Sequence, residues 1–119
     1  MIKNDIAIFT PMANEEKDAK KFILELLSYK KYFNKFKYFI IIDKVSKDNT
    51  YKIAKSLEKK NKLLKVVWAP ANKCVVDAYI QGYKNCLKTN YDWILEIDAG
   101  GSHQPKNLLR FIEHMNNNY

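Results

Sequence analysis

The chain has 119 residues, 47% hydrophobic and 13% aromatic, enough for the core of one compact domain and too few for two ordinary ones. Its formal charge of +8 comes from 21 basic against 13 acidic residues, and Arg110 is the only arginine. Such a lysine surface suits anionic partners but offers no bidentate forks for reading nucleic acid, so none is expected as a partner. No apolar run approaches the roughly 18 residues of a membrane-spanning helix, and Lys3, Asn4 and Asp5 interrupt any signal-like start. The chain reads as soluble and cytoplasmic.

Asp5 to Thr10 carries Ile6, Ala7, Ile8 and Phe9 as a short strand, apolar on both faces and closed by Pro11, which suits the middle of a covered sheet. Asn14 is placed to cap the following helix, with Glu15 and Glu16 in its first turn, where negative charge meets the positive end of the helix dipole. Phe22, Ile23, Leu26 and Leu27 give that helix its buried stripe. Phe36 to Ile42 is the strongest strand signal and ends at Asp43. The next helix begins near Asp48, whose carboxylate can accept from the N–H of Thr50 or Tyr51, and turns Ile53, Ala54 and Leu57 inward.

Leu63 to Trp68 forms a third strand, ended by Ala69, Pro70 and Ala71. From about Lys73 to Leu87, Val75, Val76, Tyr79, Ile80, Tyr83 and Cys86 repeat at helical spacing. Cys74 and Cys86 fall on that one helix, about 18 Å apart along its axis, too far to pair. Trp93, Ile94, Leu95 and Ile97 suit a strand in the middle of a sheet, which delivers Asp98 into Gly100 and Gly101. Pro105 then opens a helix whose apolar face is Leu108, Leu109, Phe111, Ile112 and Met115.

Strand and helix alternate four times, which predicts an α/β fold with a Rossmann-like parallel sheet in strand order 3-2-1-4. Thr10 and Pro11, Asp43, Pro70 to Asn72, and Asp98 all fall on the edge where such sheets bind ligands. Each carboxylate also has a plainer reading as a turn residue. Glu96 shares Asp98's side of the strand and reads as a structural carboxylate. His103 reads as a turn or capping residue, and His114 as solvated on the outward side of the last helix.

These residues resemble the inverting family 2 glycosyltransferases of the GT-A fold, including polyprenol-phosphate sugar transferases. Pro11-Met12-Ala13-Asn14-Glu15 resembles the family's Pro-x-x-Asn-Glu, and Asp43-Lys44-Val45-Ser46-Lys47-Asp48-Asn49-Thr50 its Asp-Asp-Gly-Ser-x-Asp-Asn-Thr. Asn72 and the helix to Gly82 look like its Asn-x-Gly segment, and Asp98 to Pro105 like Asp-x-Asp followed by Ser-His-x-Pro. Lys44, Val45, Cys74 and Gly100 stand where the family has Asp, Gly, Gly and the second metal carboxylate.

The resemblance implies a nucleoside-diphosphate sugar of UDP or GDP type as donor and a polyprenyl phosphate or a sugar as acceptor. Pro11, Asn14, Glu15, Asp43, Asn72 and Asp98 would bind the nucleotide sugar. Asp43 would accept a hydrogen bond from the base, and Asp98 would hold Mg²⁺ or Mn²⁺. It implies a single, incomplete GT-A domain over residues 1–119, the N-terminal half, which by itself would at most hydrolyse the donor slowly. The alternative is a non-catalytic nucleotide- or anion-binding module derived from that fold, and the basic surface is compatible with a peripheral membrane contact.

Overall fold

The computed structural model of the chain describes residues 3–99 and 104–118, so Gly100, Gly101, Ser102 and His103 of the last motif lie outside the described residues. Four strands, β1 (Ile6–Pro11), β2 (Phe36–Ile42), β3 (Leu64–Trp68) and β4 (Trp93–Glu96), form one parallel sheet in the order β3-β2-β1-β4. The helices α1 (Ala19–Leu27), α2 (Thr50–Lys60), α3 (Val75–Leu87) and α4 (Leu108–Asn118) follow them in turn. This is the α/β, Rossmann-like sheet expected from the alternation.

Period-two alternation sends β1 into two separate cores. Ile6 and Ile8 join Tyr38, Ile40, Ile42, Ile23, Leu26, Leu57 and Leu108 on the face covered by α1, α2 and α4. Ala7 and Phe9 join Phe39, Ile41, Ala78 and Cys86 on the face that α3 covers. Both faces of β1 and β2 are therefore dry, which is why their runs are almost uninterruptedly apolar. The hydroxyl of Tyr38, fully buried, donates to Thr10 Oγ1 at 2.8 Å, so the phenol enters the core with its polar end satisfied.

Three expectations are corrected. Among the described residues β4 is an edge strand paired with β1 alone, where the order 3-2-1-4 places it but against its interior-strand composition, and all four of its residues are only half-buried; its apolar character serves packing on the faces rather than lateral pairing. Asn14 does not cap α1, which starts five residues later at Ala19 after a turn closed by Ala19 N–H to Glu15 O at 2.8 Å. Asn14 sits at φ 55°, a left-handed conformation that Asn tolerates, and its side chain is spent elsewhere.

Third, the large apolar residues of α3 are not its seat. Ala78, Gly82 and Cys86, one helical face of small side chains, lie against the sheet, while Val75, Val76, Ile80, Tyr83 and Leu87 stay largely exposed. At Gly82 an added Cβ would stand 2.1 Å from Phe9 Cδ2. The helix can lie this close only because that residue has no side chain.

Candidate functional site

Parallel strands with helical crossovers put every strand's C-terminal end on one edge. That edge gathers the loop after β1, the loop after β2, the turn after β3 and the residues after β4. The first two loops are laced together by side chains. Asn14 Nδ2 donates to Val45 O at 3.2 Å, and Lys47 N–H donates to Asn14 Oδ1 at 2.8 Å. Asn14 N–H reaches Ser46 Oγ at 3.1 Å, and Glu15 N–H reaches the buried Thr50 Oγ1 at 2.8 Å.

Asp48 completes the lacing. Its Oδ1 accepts from Thr50 N–H at 2.9 Å, as expected of a residue at the start of α2, and from the Thr50 hydroxyl. Its Oδ2 accepts from Glu16 N–H at 3.1 Å. Hydrogen bonding from Thr50 holds the Asp48 carboxyl below the usual carboxylate range, whereas burial and then the neighbouring Asp18 and Asp48 push Glu15 up.

Inside the laced loops is a cavity of about 180 Å³ lined mostly by apolar groups, among them Pro11, Met12, Ile41, Val75 and Ala78, with Asp43 as its one carboxylate. Asp43 also closes its own turn, accepting from Val45 N–H at 2.9 Å. A small apolar slot with one acceptor suits a flat heterocycle. Cys74, at the family's glycine position, lines the same cavity at φ −156°, extended backbone open to any residue, so replacing glycine there costs no strain. Lys44 and Val45, the other two departures in the described residues, are exposed.

Asn72 lies in the turn after β3, its N–H donating to Ala69 O at 3.2 Å. Its Nδ2 is buried and has no hydrogen-bond partner among the described residues. That donor is available to a bound water or a ligand. Asn14, Glu15, Asn72 and Asp98 thus share the edge with Pro11 and Asp43 but do not line the cavity itself.

Asp98 is held from α3. Tyr79 donates its hydroxyl to Asp98 Oδ1 at 2.8 Å, and one turn later Tyr83 donates to Glu96 Oε1 at 2.9 Å. The match is geometric: four helical residues rise about 6 Å and two extended residues about 6.6 Å, so i and i+4 on α3 face j+2 and j on the oppositely directed segment from Glu96 to Asp98. Phe9 stands edge-on to both rings, with centroid distances of 6.3 Å to Tyr79 and 4.9 Å to Tyr83. Burial first, then the Asp98 carboxylate, pushes the Tyr79 hydroxyl up to about 12, and the bond to Glu96 raises Tyr83 too. Both phenols are therefore donors at neutral pH. Two tyrosines at helical spacing are the one trace of these clamps legible before the fold is known.

Among the described residues no group of three His, Cys, Asp or Glu side chains could hold a metal ion. Mg²⁺ and Mn²⁺ nevertheless take only one or two protein carboxylates when substrate phosphates and water supply the rest. Asp98, half-buried and oriented by a phenol through one oxygen, fits that limited role.

Two further features bear on the edge. A recess of about 340 Å³ lies between the end of β4 and α4, lined by Glu96, Ile97, Asn107, Arg110, Phe111 and His114. His114, expected to be merely solvated, faces this recess. Lysines gather at the opposite edge of the sheet: segments 28–37 and 58–65, which lead into the first residues of β2 and β3, hold eight of them against one acid, Glu58. Among the described residues no helix is long and apolar enough to cross a membrane.

The sequence profile described as Glycosyl transferase family 2 matches residues 7–119. An undecaprenyl-phosphate mannosyltransferase of Micrococcus luteus is 32% identical over 74 residues, covering 62% of this chain and 30% of the relative. A UDP-N-acetylglucosamine–dolichyl-phosphate N-acetylglucosaminyltransferase of Methanococcus voltae is 33% identical over 120 residues, covering 91% of this chain and 46% of the relative. A solved structure described as a transferase mutant aligns over 97% of this chain and 42% of its own, at 12% identity and a TM-score of 0.39. The chain spans less than half the length of the curated relatives it matches.

Proposed function

This chain belongs to glycosyl transferase family 2, and from that premise we propose that it forms the donor-binding part of a transferase that moves a sugar from a UDP- or GDP-sugar to a polyprenyl phosphate or a sugar. The polyprenyl-phosphate class of acceptor is supported by the names of the two curated relatives. The observation that carries the donor half is the convergence of Asp43, Asp98 and the unsatisfied Asn72 amide on one edge of the sheet.

In this reading the base enters the apolar slot beside Pro11 and Ile41 and donates to Asp43. Asn72 Nδ2 donates to an oxygen of the nucleotide. Asn14 and Glu15 act indirectly, by fixing the loop that carries Asp43. Asp98, oriented by Tyr79, would hold Mg²⁺ or Mn²⁺. A divalent ion, when bound, compensates the charge that develops on a departing diphosphate. The acceptor oxygen attacks the anomeric carbon on the face opposite the diphosphate and inverts it, a step that depends on holding both reactants in line.

Titration calorimetry with UDP and GDP, each with and without Mn²⁺, tests the assignment. Binding is expected to strengthen with the ion. Asp98→Ala should remove that increment, while Asp43→Ala should weaken binding under both conditions. Metal-independent binding in the wild type would refute the role of Asp98. It would also favour a nucleotide-binding module without turnover, a reading that the substitutions Lys44, Cys74 and Gly100 in the family's motifs support.

A further inference from the structure

The lysine-rich edge of the sheet, at the far end of the strands from Asp43, encloses a cavity that the transferase reading does not use. It measures about 450 Å³ and is lined by Leu27 and Lys30 from the end of α1 and the turn after it, and by Lys60, Asn61, Lys62 and Leu63 where α2 passes into β3. Two segments distant in sequence thus bring three ammonium groups round one hollow. β2 runs from this edge to the donor edge, and its seven residues at about 3.3 Å each put roughly 23 Å between its ends. That exceeds the screening length of about 8 Å at physiological salt, so the two edges are electrically separate.

Complementing helix ends is the ordinary reason for lysines here, and it is too small to account for them. α1 with its following turn and α2 both end at this edge, and each helix C-terminus carries about half a negative charge. Glu58 is paired at 2.7 Å with Lys55, which lies outside the two lysine-rich segments, and its other oxygen accepts from Val66 N–H. Asp5, just before β1 on the same edge, accepts from Asn34 Nδ2 and Lys35 N–H through one oxygen. Several of the eight lysines are left uncompensated at a cost in mutual repulsion, and the hollow between them focuses their potential. Lys30, Lys60 and Lys62 are donors without the planar fork that selects a carboxylate, which suits a phosphate met as a point charge from several sides. Leu27 and Leu63 add an apolar wall for the uncharged remainder of an organic phosphate.

We propose that this cavity is a phosphate-binding site remote from the donor edge, in which Lys30, Lys60 and Lys62 surround a phosphate group while Leu27 and Leu63 pack against the uncharged part of its carrier. Two carriers share that chemistry: a small organic phosphate free in solution and the headgroup of an anionic phospholipid. A free ligand is held by the cavity alone. A lipid surface also meets the exposed Lys31, Lys35 and Lys59 around it, and the exposed Tyr32 ring, over which Lys31 sits at 5.5 Å.

The test follows backbone amide signals of the whole chain by NMR, without divalent metal, against glycerophosphate and against vesicles of phosphatidylcholine with or without phosphatidylglycerol. If the carrier is free, glycerophosphate shifts the amides of Lys30, Asn61, Lys62 and Leu63 saturably, and Lys30→Gln, Lys60→Gln and Lys62→Gln combined weaken binding about tenfold or more. If the carrier is lipid, vesicles containing phosphatidylglycerol, and not phosphatidylcholine alone, broaden the same amides. Each lysine is then worth about fivefold in partitioning, and the triple variant loses about a hundredfold. A control variant combining Lys17→Gln, Lys20→Gln and Lys21→Gln removes the same charge from exposed positions at the other end of α1 and should keep binding within about twofold. Equal loss in the control variant marks a diffuse charge effect and overturns the inference. So does the absence of a response to both probes, or a response confined to donor-edge amides such as those of Asn14 and Lys47. The donor reading stands or falls separately, on UDP and GDP at the other edge.

Discussion

Gly82→Ala isolates the contact on which the seat of α3 depends. The new methyl would lie 2.1, 2.4 and 2.5 Å from Cδ2, Cε2 and Cγ of Phe9, against about 3.5–4.0 Å for comfortable carbon contacts. The ring would have to retreat by more than about 1 Å, yet Phe9 is fully buried and stands edge-on to Tyr79 and Tyr83. Overpacking of this kind costs about 1–3 kcal/mol, and the better helix propensity of Ala returns about 1 kcal/mol. A net loss of up to about 2 kcal/mol is expected, toward the upper end because the ring is confined. Urea unfolding followed by circular dichroism should show a lower midpoint at unchanged slope. In a Phe9→Val background the two methyls can take the staggered positions that the ring leaves, so Gly82→Ala should there cost much less. Equal or greater stability of Gly82→Ala, or the same loss in both backgrounds, would refute the close-approach argument.

Tyr79→Phe should cost about 1 kcal/mol of stability or less but lower the Mn²⁺-dependent part of nucleotide binding by several-fold, because Asp98 loses its orienting bond; calorimetry beside the wild type checks this. The Tyr79 hydroxyl ionises near 12 in the folded chain against 10.0 ordinarily, so the stability it contributes is complete below pH about 10 and is lost as pH rises through about 12. An ultraviolet tyrosinate titration should lose that late step in Tyr79→Phe. Asp48 behaves oppositely: its lowered value means stability present above the ordinary carboxylate range and lost as pH falls through the folded value. Asp48→Asn should therefore flatten the acid side of a stability–pH profile measured by thermal unfolding.

The order of the sheet was legible because hydrophobic runs ended in polar punctuation four times, and the same punctuation located Asp43 and Asp98. What the residues could not disclose was which side chains would find which partners. Trp93 to Leu95 reads as interior strand, yet the edge strand needs those residues only for its two faces. Asn14 carries the composition of a helix cap, but a left-handed backbone and a loop some thirty residues away claimed its side chain. In α3 the large side chains drew attention from Ala78, Gly82 and Cys86, where smallness itself is the packing signal. Arg110, Phe111 and His114 gained a shared surface only when the last helical segment was laid beside β4.

The lacing between the loops after β1 and β2 makes them a single cooperative unit. The amide protons of Asn14, Glu15, Glu16, Lys47 and Asn49 all end on side chains of the opposite loop, so neither loop can peel away without freeing donors on both. Opening is then all-or-none across a segment pair distant in sequence, and hydrogen exchange at these amides should share one opening free energy. A floor that breathes as one body keeps Asp43 in register with Pro11 throughout, leaving the approach to the slot to be set from the α3 side.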